Sequence, residues 1–245
     1  MPSCRSVLAC CVIALAAGGA CAAELSLVSG NGYPPFADNA LPNGGIATER
    51  VLATFRAMGE SPKLAWLPWA RGYQLTLAGE FDATFPYVPT PEREAAFYYS
   101  APLFRSPHYV FARPSDARLA SNFKDLSVGR LCLPYGWAGA PEVQRRIAQG
   151  RLVPDRPETL ANCVRIILLD RADYLIAAPE IEAAALAEVG LAADALARGP
   201  SSVGALTLHL IVPRKRPGAA ALIRRFDEAL ASLDKAQRAD KAPKH

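Results

Sequence analysis

FDATFPYVPTPEREAAFYYSAPLF, residues 81–104, is the stretch on which the reading of the whole chain depends. Asp82-Ala83-Thr84-Phe85 is short, extended and mostly apolar, the pattern of a strand. Pro86, Pro89 and Pro91 exclude a helix through the next residues and direct the backbone into a turn. Thr90 is a good helix N-cap and Pro91 suits the first helical position, so a short helix is predicted to begin there before a second extended run. Arg93 falls in the first turn, where the helix dipole already contributes partial positive charge. Free amides and a guanidinium in one place form an anion receptor. The alternative is a solvent-facing arginine paired with Glu92 or Glu94.

Working outward, residues 25–28 alternate as a strand and 46–58 carry an amphipathic helical pattern closed by Gly59. A strand at 63–67, a helix at 68–78 stopped by Gly79, and the strand at 82–85 complete a parallel α/β unit. A strand at 109–112 precedes the break at Arg113-Pro114. A second unit of the same kind follows: strands at 128–133, 152–153 and 173–177, with helices at 141–148, 157–169 and 179–189. A last apolar strand at 207–213 and a helix at 218–233 close the pattern. The polar end, 235–245, is expected to fray.

The chain has 245 residues, about half hydrophobic (51%) and a fifth charged (20%), an ordinary globular composition. A net charge of +4, spread along the chain, does not argue for a nucleic-acid partner. Arg5 followed by an apolar run at 7–17 and small residues around Ala20-Cys21-Ala22 reads as a secretory signal peptide. The leader is taken as 1–23, the mature chain starting at Ala23 or Glu24. Lipidation at Cys21 is the alternative. The run is too short for a good membrane span. Of six cysteines, four lie in that leader, leaving Cys132 and Cys163. In an exported chain such a pair is most simply a disulfide, worth roughly 3 kcal/mol for a loop of about 30 residues. Two buried free thiols are the alternative. His108, His209 and His245 are scattered, so no metal site is expected, and no cofactor motif is found.

Several short pieces, in order and spacing, carry a resemblance. They are Tyr33-Pro-Pro-Phe36, Gly45 opening the first helix, Leu77-Ala-Gly-Glu-Phe-Asp82, and Thr90-Pro-Glu-Arg93 followed by Phe97-Tyr-Tyr-Ser-Ala-Pro102. Asp125-Leu126, Arg171-Ala-Asp173 and His209-Leu-Ile-Val-Pro-Arg-Lys215 complete the set. The chain thereby resembles the periplasmic solute-binding proteins of family 3, receptors of polar amino-acid ABC importers, over nearly all of its mature length. The resemblance implies a two-lobed α/β fold, each lobe a mostly parallel sheet flanked by helices and joined by two hinge strands. Lobe 1 would comprise 24–112 and 205–245, and lobe 2 113–204. It also implies a periplasmic monomer that closes around a small-molecule ligand by hinge motion. The partner would be an ABC permease in the inner membrane.

The resemblance places Arg93 where the ligand carboxylate is clamped, and Tyr33 at an aromatic wall of the cleft. Trp69 and Arg71, at the start of a helix, would face the same cleft, with Phe85 and Tyr87 along its floor. Asp173 is expected to be structural. Three departures from the family pattern stand out. Pro86 and Val88 replace the small hydroxyl residues before the arginine turn, and the spacing from Asp82 to Arg93 is one residue shorter than in typical members. The second-lobe turn is Gly136-Trp137-Ala138, with Trp137 in place of a hydroxyl residue. Ala178 stands where an acid pairs with the ligand ammonium, leaving Glu180 as the nearest carboxylate. A buried ammonium without a carboxylate costs several kcal/mol. A small anionic or zwitterionic solute is therefore expected rather than specifically a standard amino acid. No Ser/His/Asp set or phosphate loop is present, so no catalytic residue is assigned. The alternatives are a ligand-sensing module without transport, and a cyclohexadienyl dehydratase-like enzyme on the same fold.

Overall fold

The computed structural model describes residues 24–116, 118 and 128–241. The expected leader, 1–23, and the Asp125-Leu126 pair lie outside these residues. The first parallel unit contains β1 (Ser26–Ser29), α1 (Ile46–Ala57), β2 (Lys63–Trp66), α2 (Trp69–Ala78) and β3 (Ala83–Tyr87). A short helix α3 (Pro91–Ala96) and strand β4 (Phe97–Tyr99) lead into the long strand β5 (Phe104–Ala112). The second unit contains β6 (Gly129–Cys132), α4 (Pro141–Ala148), β7 (Leu152–Asp155), α5 (Leu160–Leu168), β8 (Tyr174–Ala177) and α6 (Pro179–Glu188). The chain returns through β9 (Ala197–Pro213) and ends in α7 (Ala219–Lys241).

The strand order is β2-β1-β3-β9-β5-β8-β6-β7, with β4 also on β9. Two parallel trios, β2-β1-β3 and β8-β6-β7, are therefore joined through the antiparallel pair β9-β5. This is the expected two-lobed α/β architecture with two connecting strands. Each half starts with the same device. Asp82, just before β3, accepts a hydrogen bond from the backbone amide of Ser26 at 2.7 Å. Asp173, just before β8, accepts one from the amide of Arg130 at 2.7 Å. Burial pushes the Asp82 carboxyl up, but the Ser26 amide and Arg216 outweigh it and hold it below the usual range.

The connecting strands are longer than the sequence pattern predicts. They begin at Phe104 and Ala197 rather than at 109 and 207. Residues 198–204, Arg-Gly-Pro-Ser-Ser-Val-Gly, have little intrinsic strand preference. They are extended because they pair with β5, Ala112 opposite Ala197 and His108 opposite Gly204. Helix α5 starts later than expected, because Thr159 is its N-cap and accepts from the amide of Asn162 at 3.1 Å. The C-terminal polar stretch does not fray within the described residues, but continues α7 to Lys241. Residues 234–241 contain no glycine or proline, and Pro243 is the next helix breaker. Arg50 of α1 pairs with Asp234 at 2.6 Å, and Phe55 packs on Phe226 with ring centroids 5.2 Å apart.

In the second half, Cys132 at the end of β6 is bonded to Cys163 of α5, with the Cα atoms 5.4 Å apart. Glu182 on α6 is 6% exposed, and its Oε1 is buried without a partner. Burial pushes its carboxyl up to about 7, against the pull of Arg198. The folded chain therefore holds this proton through the range where an unfolded glutamate has already lost it, and stability falls as pH rises through that window. Glu182→Gln is expected to add about 1–2 kcal/mol more at pH 8 than at pH 4. Equal melting-temperature gains at both pH values would show that the carboxylate is not the cause. Among the described residues no helix is long and apolar enough to cross a membrane.

Candidate functional site

The loop from β3 to α3 delivers Arg93 to the space between the halves. Thr90 caps α3, its hydroxyl accepting from the Arg93 amide at 3.2 Å. That amide is thus already used, which leaves the guanidinium as the donor group that Arg93 presents at this turn. Arg93 Nη1 donates to the Val88 carbonyl at 3.2 Å. Nη2 donates across the interface to the Gly136 carbonyl at 2.9 Å. The guanidinium carbon lies 4.9 Å from the Tyr87 ring centroid and 5.6 Å from that of Tyr73. Neither Glu92 nor Glu94 pairs with it. Among the described residues its charge faces carbonyls and aromatic rings, with no carboxylate to neutralise it.

A cavity of about 40 Å³ opens beside this guanidinium, walled by Tyr33, Trp69, Tyr87, Arg93, His108 and Trp137. Pro86, Leu133, Ile176, Leu206 and Leu208 complete the apolar part of the wall. The aromatic rings hold one another edge to face. Tyr33 and Trp137 meet at 4.7 Å, Tyr33 and Trp69 at 5.9 Å, and Trp69 and Tyr87 at 5.8 Å. The Trp69 indole N–H donates to the Asn31 carbonyl at 2.8 Å, and the Tyr87 hydroxyl donates to the Trp69 carbonyl at 3.1 Å. Burial pushes the Tyr33 phenol well up, helped by the negative charge of Glu180. Burial likewise pushes Tyr87 up to about 12, with Arg93 opposing. Both phenols are neutral donors near neutral pH.

Two glycines allow this closeness. Gly136 has a left-handed backbone (φ +81°), and a Cβ there would lie 3.0 Å from the Cβ of Trp69 in the other half. A Cβ on Gly30 would overlap the Trp69 indole. Gly30→Ala is therefore expected to displace Trp69, cost about 1–3 kcal/mol and change the tryptophan emission spectrum. An unchanged spectrum and melting temperature would mean that the ring is not held there.

Of the residues expected from sequence, the structure brings Tyr33, Trp69, Tyr87, Arg93 and Trp137 together around one cavity. Three are elsewhere. Phe85 is fully buried in the core of the first half, beside residues such as Leu27, Phe55 and Leu210. The cause is a one-residue irregularity: Thr84 lies opposite Ile211 and Tyr87 opposite His209, so Tyr87 shares the face of Thr84 and not that of Phe85. Arg71 is exposed and lines a different opening, of about 650 Å³, with Asn31, Tyr135 and Glu158. Glu180 is exposed at the start of α6, accepts from the Ser106 hydroxyl at 3.0 Å, and does not line the cavity. No described residue lining the cavity is acidic.

Sequence reasoning missed His108 altogether. It is 5% exposed on β5, lines the cavity, and its Nε2 is buried without a hydrogen-bond partner. Burial pushes the imidazole down to about 4, against the pull of Glu180. The signal was available: Ser106, His108 and Val110 alternate on the buried face of β5, so two polar residues stand where apolar ones belong.

No protein-family model matches the chain, and no curated protein matches it in sequence. Solved structures match its fold. A histidine kinase sensor domain described as similar to periplasmic binding proteins superimposes with a TM-score of 0.74 at 21% identity, over 88% of this chain and 92% of that one. The GluR0 ligand-binding core from Nostoc punctiforme, in complex with L-glutamate, gives 0.69 at 16% identity over 87% and 94%. ArtJ from Geobacillus stearothermophilus, an arginine-, lysine-, histidine-binding protein, gives 0.69 at 16% over 88% and 91%. At these identities the likeness is one of fold.

Proposed function

We propose that this chain, which has the two-lobed fold of the periplasmic binding proteins, captures a small carboxylate between its lobes by hinge closure. The lobes are taken as 24–112 with 205–245, and 113–204. The observation that carries the reading is Arg93, a guanidinium without a carboxylate partner among the described residues, at an aromatic-walled cavity between the halves. A cation so placed favours an anion, and its fork suits a carboxylate. The lack of any lining acid favours a ligand without an ammonium group. It also argues against a dehydratase-like role, which needs a carboxyl in the cleft as general acid.

In this reading the protein is exported by its leader, acts as a monomer in the periplasm, and hands its ligand to an ABC permease in the inner membrane. A sensing role is the second reading, favoured by the fold match to a histidine kinase sensor domain. A thermal-shift screen of carboxylates, amino acids and polyamines tests the anion reading. A monocarboxylate at a hundred times its dissociation constant is expected to add about 2.7 kcal/mol. A screen answered by polyamines alone would refute it.

A further inference from the structure

We propose that His108 is the second polar contact of the ligand, and that the ligand is a short hydroxy-carboxylate. This rests on the anion reading above and names the group at the ligand's other end. The described chain has two buried histidines on the connecting strands, and they are treated differently. His209 has both ring nitrogens partnered, Nδ1 with the Ser100 carbonyl at 2.7 Å and Nε2 with the Thr207 hydroxyl at 2.8 Å. His108 lines the cavity with a buried Nε2 that has no hydrogen-bond partner among the described residues. An orphaned buried nitrogen is destabilising, and Ile176, Leu206 and Leu208, which line the same cavity, are apolar and have no side-chain group to satisfy it. A ligand polar group would.

Three features narrow that group. A neutral imidazole presents Nε2 either as donor or as acceptor, according to tautomer. A hydroxyl satisfies both tautomers, whereas a ketone serves only the donor and an ammonium only the acceptor. Charge excludes the ammonium: among the described lining residues Arg93 is the one charged group, and an added cation would find no acid there. His108 faces no charge from its own strand; Glu180 of α6 is the group that acts on it, and burial keeps the ring neutral at physiological pH. A single carboxylate thus balances Arg93. Size sets the rest. A cavity of about 40 Å³ suits a body of a few heavy atoms, with the hydroxyl only a few bonds from the carboxylate.

Calorimetric titration of the full mature chain at pH 7.5 tests this with matched probes: lactate, propionate and alanine, then 3-hydroxybutyrate, butyrate and 3-aminobutyrate. The wild type is expected to bind a hydroxy acid at least tenfold more tightly than its deoxy partner. His108→Leu should bring that ratio close to one, and His108→Gln should restore part of it. Equal affinities for hydroxy and deoxy acids, or a preference that survives His108→Leu, would overturn the role of His108 while leaving the anion reading intact. Tighter binding of the amino acids would replace the hydroxy-acid assignment with an amino-acid one. No binding of any probe would sink both readings. Should the variants not fold, ¹⁵N spectra of the wild-type histidines decide: lactate or 3-hydroxybutyrate should move the His108 Nε2 resonance and the deoxy acids should not. Identical spectra with either would count against the proposal.

Discussion

Arg93→Ala is expected to weaken carboxylate binding at least a hundredfold, about 3 kcal/mol, and so erase the ligand-induced rise in melting temperature. The reason is that Arg93 is the one charged group among the described residues lining the inner cavity. Its loss leaves a carboxylate to be desolvated against aromatic rings and aliphatic side chains, with no charge to replace water. The variant itself should fold. Arg93 is only half-buried, and the Val88 and Gly136 carbonyls it leaves lie at an opening of about 580 Å³ or beside it, where water takes over. Arg93→Lys should be intermediate, keeping the charge but not the fork that spans Val88 and Gly136. A ligand shift of the same size in Arg93→Ala and in the wild type would rule out the clamp.

Loss of the Cys132–Cys163 bridge has the second large effect. The bridge closes a loop of 31 residues. Removing it by reduction or by serine substitution at both positions is expected to cost about 3 kcal/mol, a fall in melting temperature on the order of 10 °C. The effect should reach the site. Cys132 directly precedes Leu133 of the cavity wall, and the same connection carries Gly136, which accepts from Arg93, and Trp137, which packs on Tyr33. Ligand affinity should therefore fall as well, although neither sulfur touches the cavity. Scanning calorimetry with and without reductant measures the stability, and mass spectrometry of the native protein counts the thiols. Two free thiols in the native protein would remove the premise.

Local chemistry was legible from sequence wherever one residue type decides a local outcome. Thr90-Pro91 starts α3, Gly59 and Gly79 close their helices, and the apolar periodicities of β1, α1 and α4 match the observed elements to within a residue or so. The connecting strands were half-legible. Their apolar portions are ordinary strand sequence, but 198–204 is extended only because β5 lies beside it. Position on a face was legible as long as alternation held. It failed at β3, where one irregularity separated Tyr87 from Phe85.

The sequence by itself determined the order of elements, the two parallel units, and the presence of an arginine at a helix start, and it left the Cys132–Cys163 pair open between a disulfide and two thiols. These follow from short-range propensity, periodicity and count. Tertiary structure alone decided what that arginine faces. The opening stretch offers Glu92 and Glu94 as partners one residue away, yet the guanidinium turns to Val88 and, across 43 positions of sequence, to Gly136. It alone decided that Glu180 stays outside the cavity and that His108 lines it with an unpaired nitrogen. Such facts depend on which surfaces distant stretches of the chain present to each other, and no local pattern encodes that meeting.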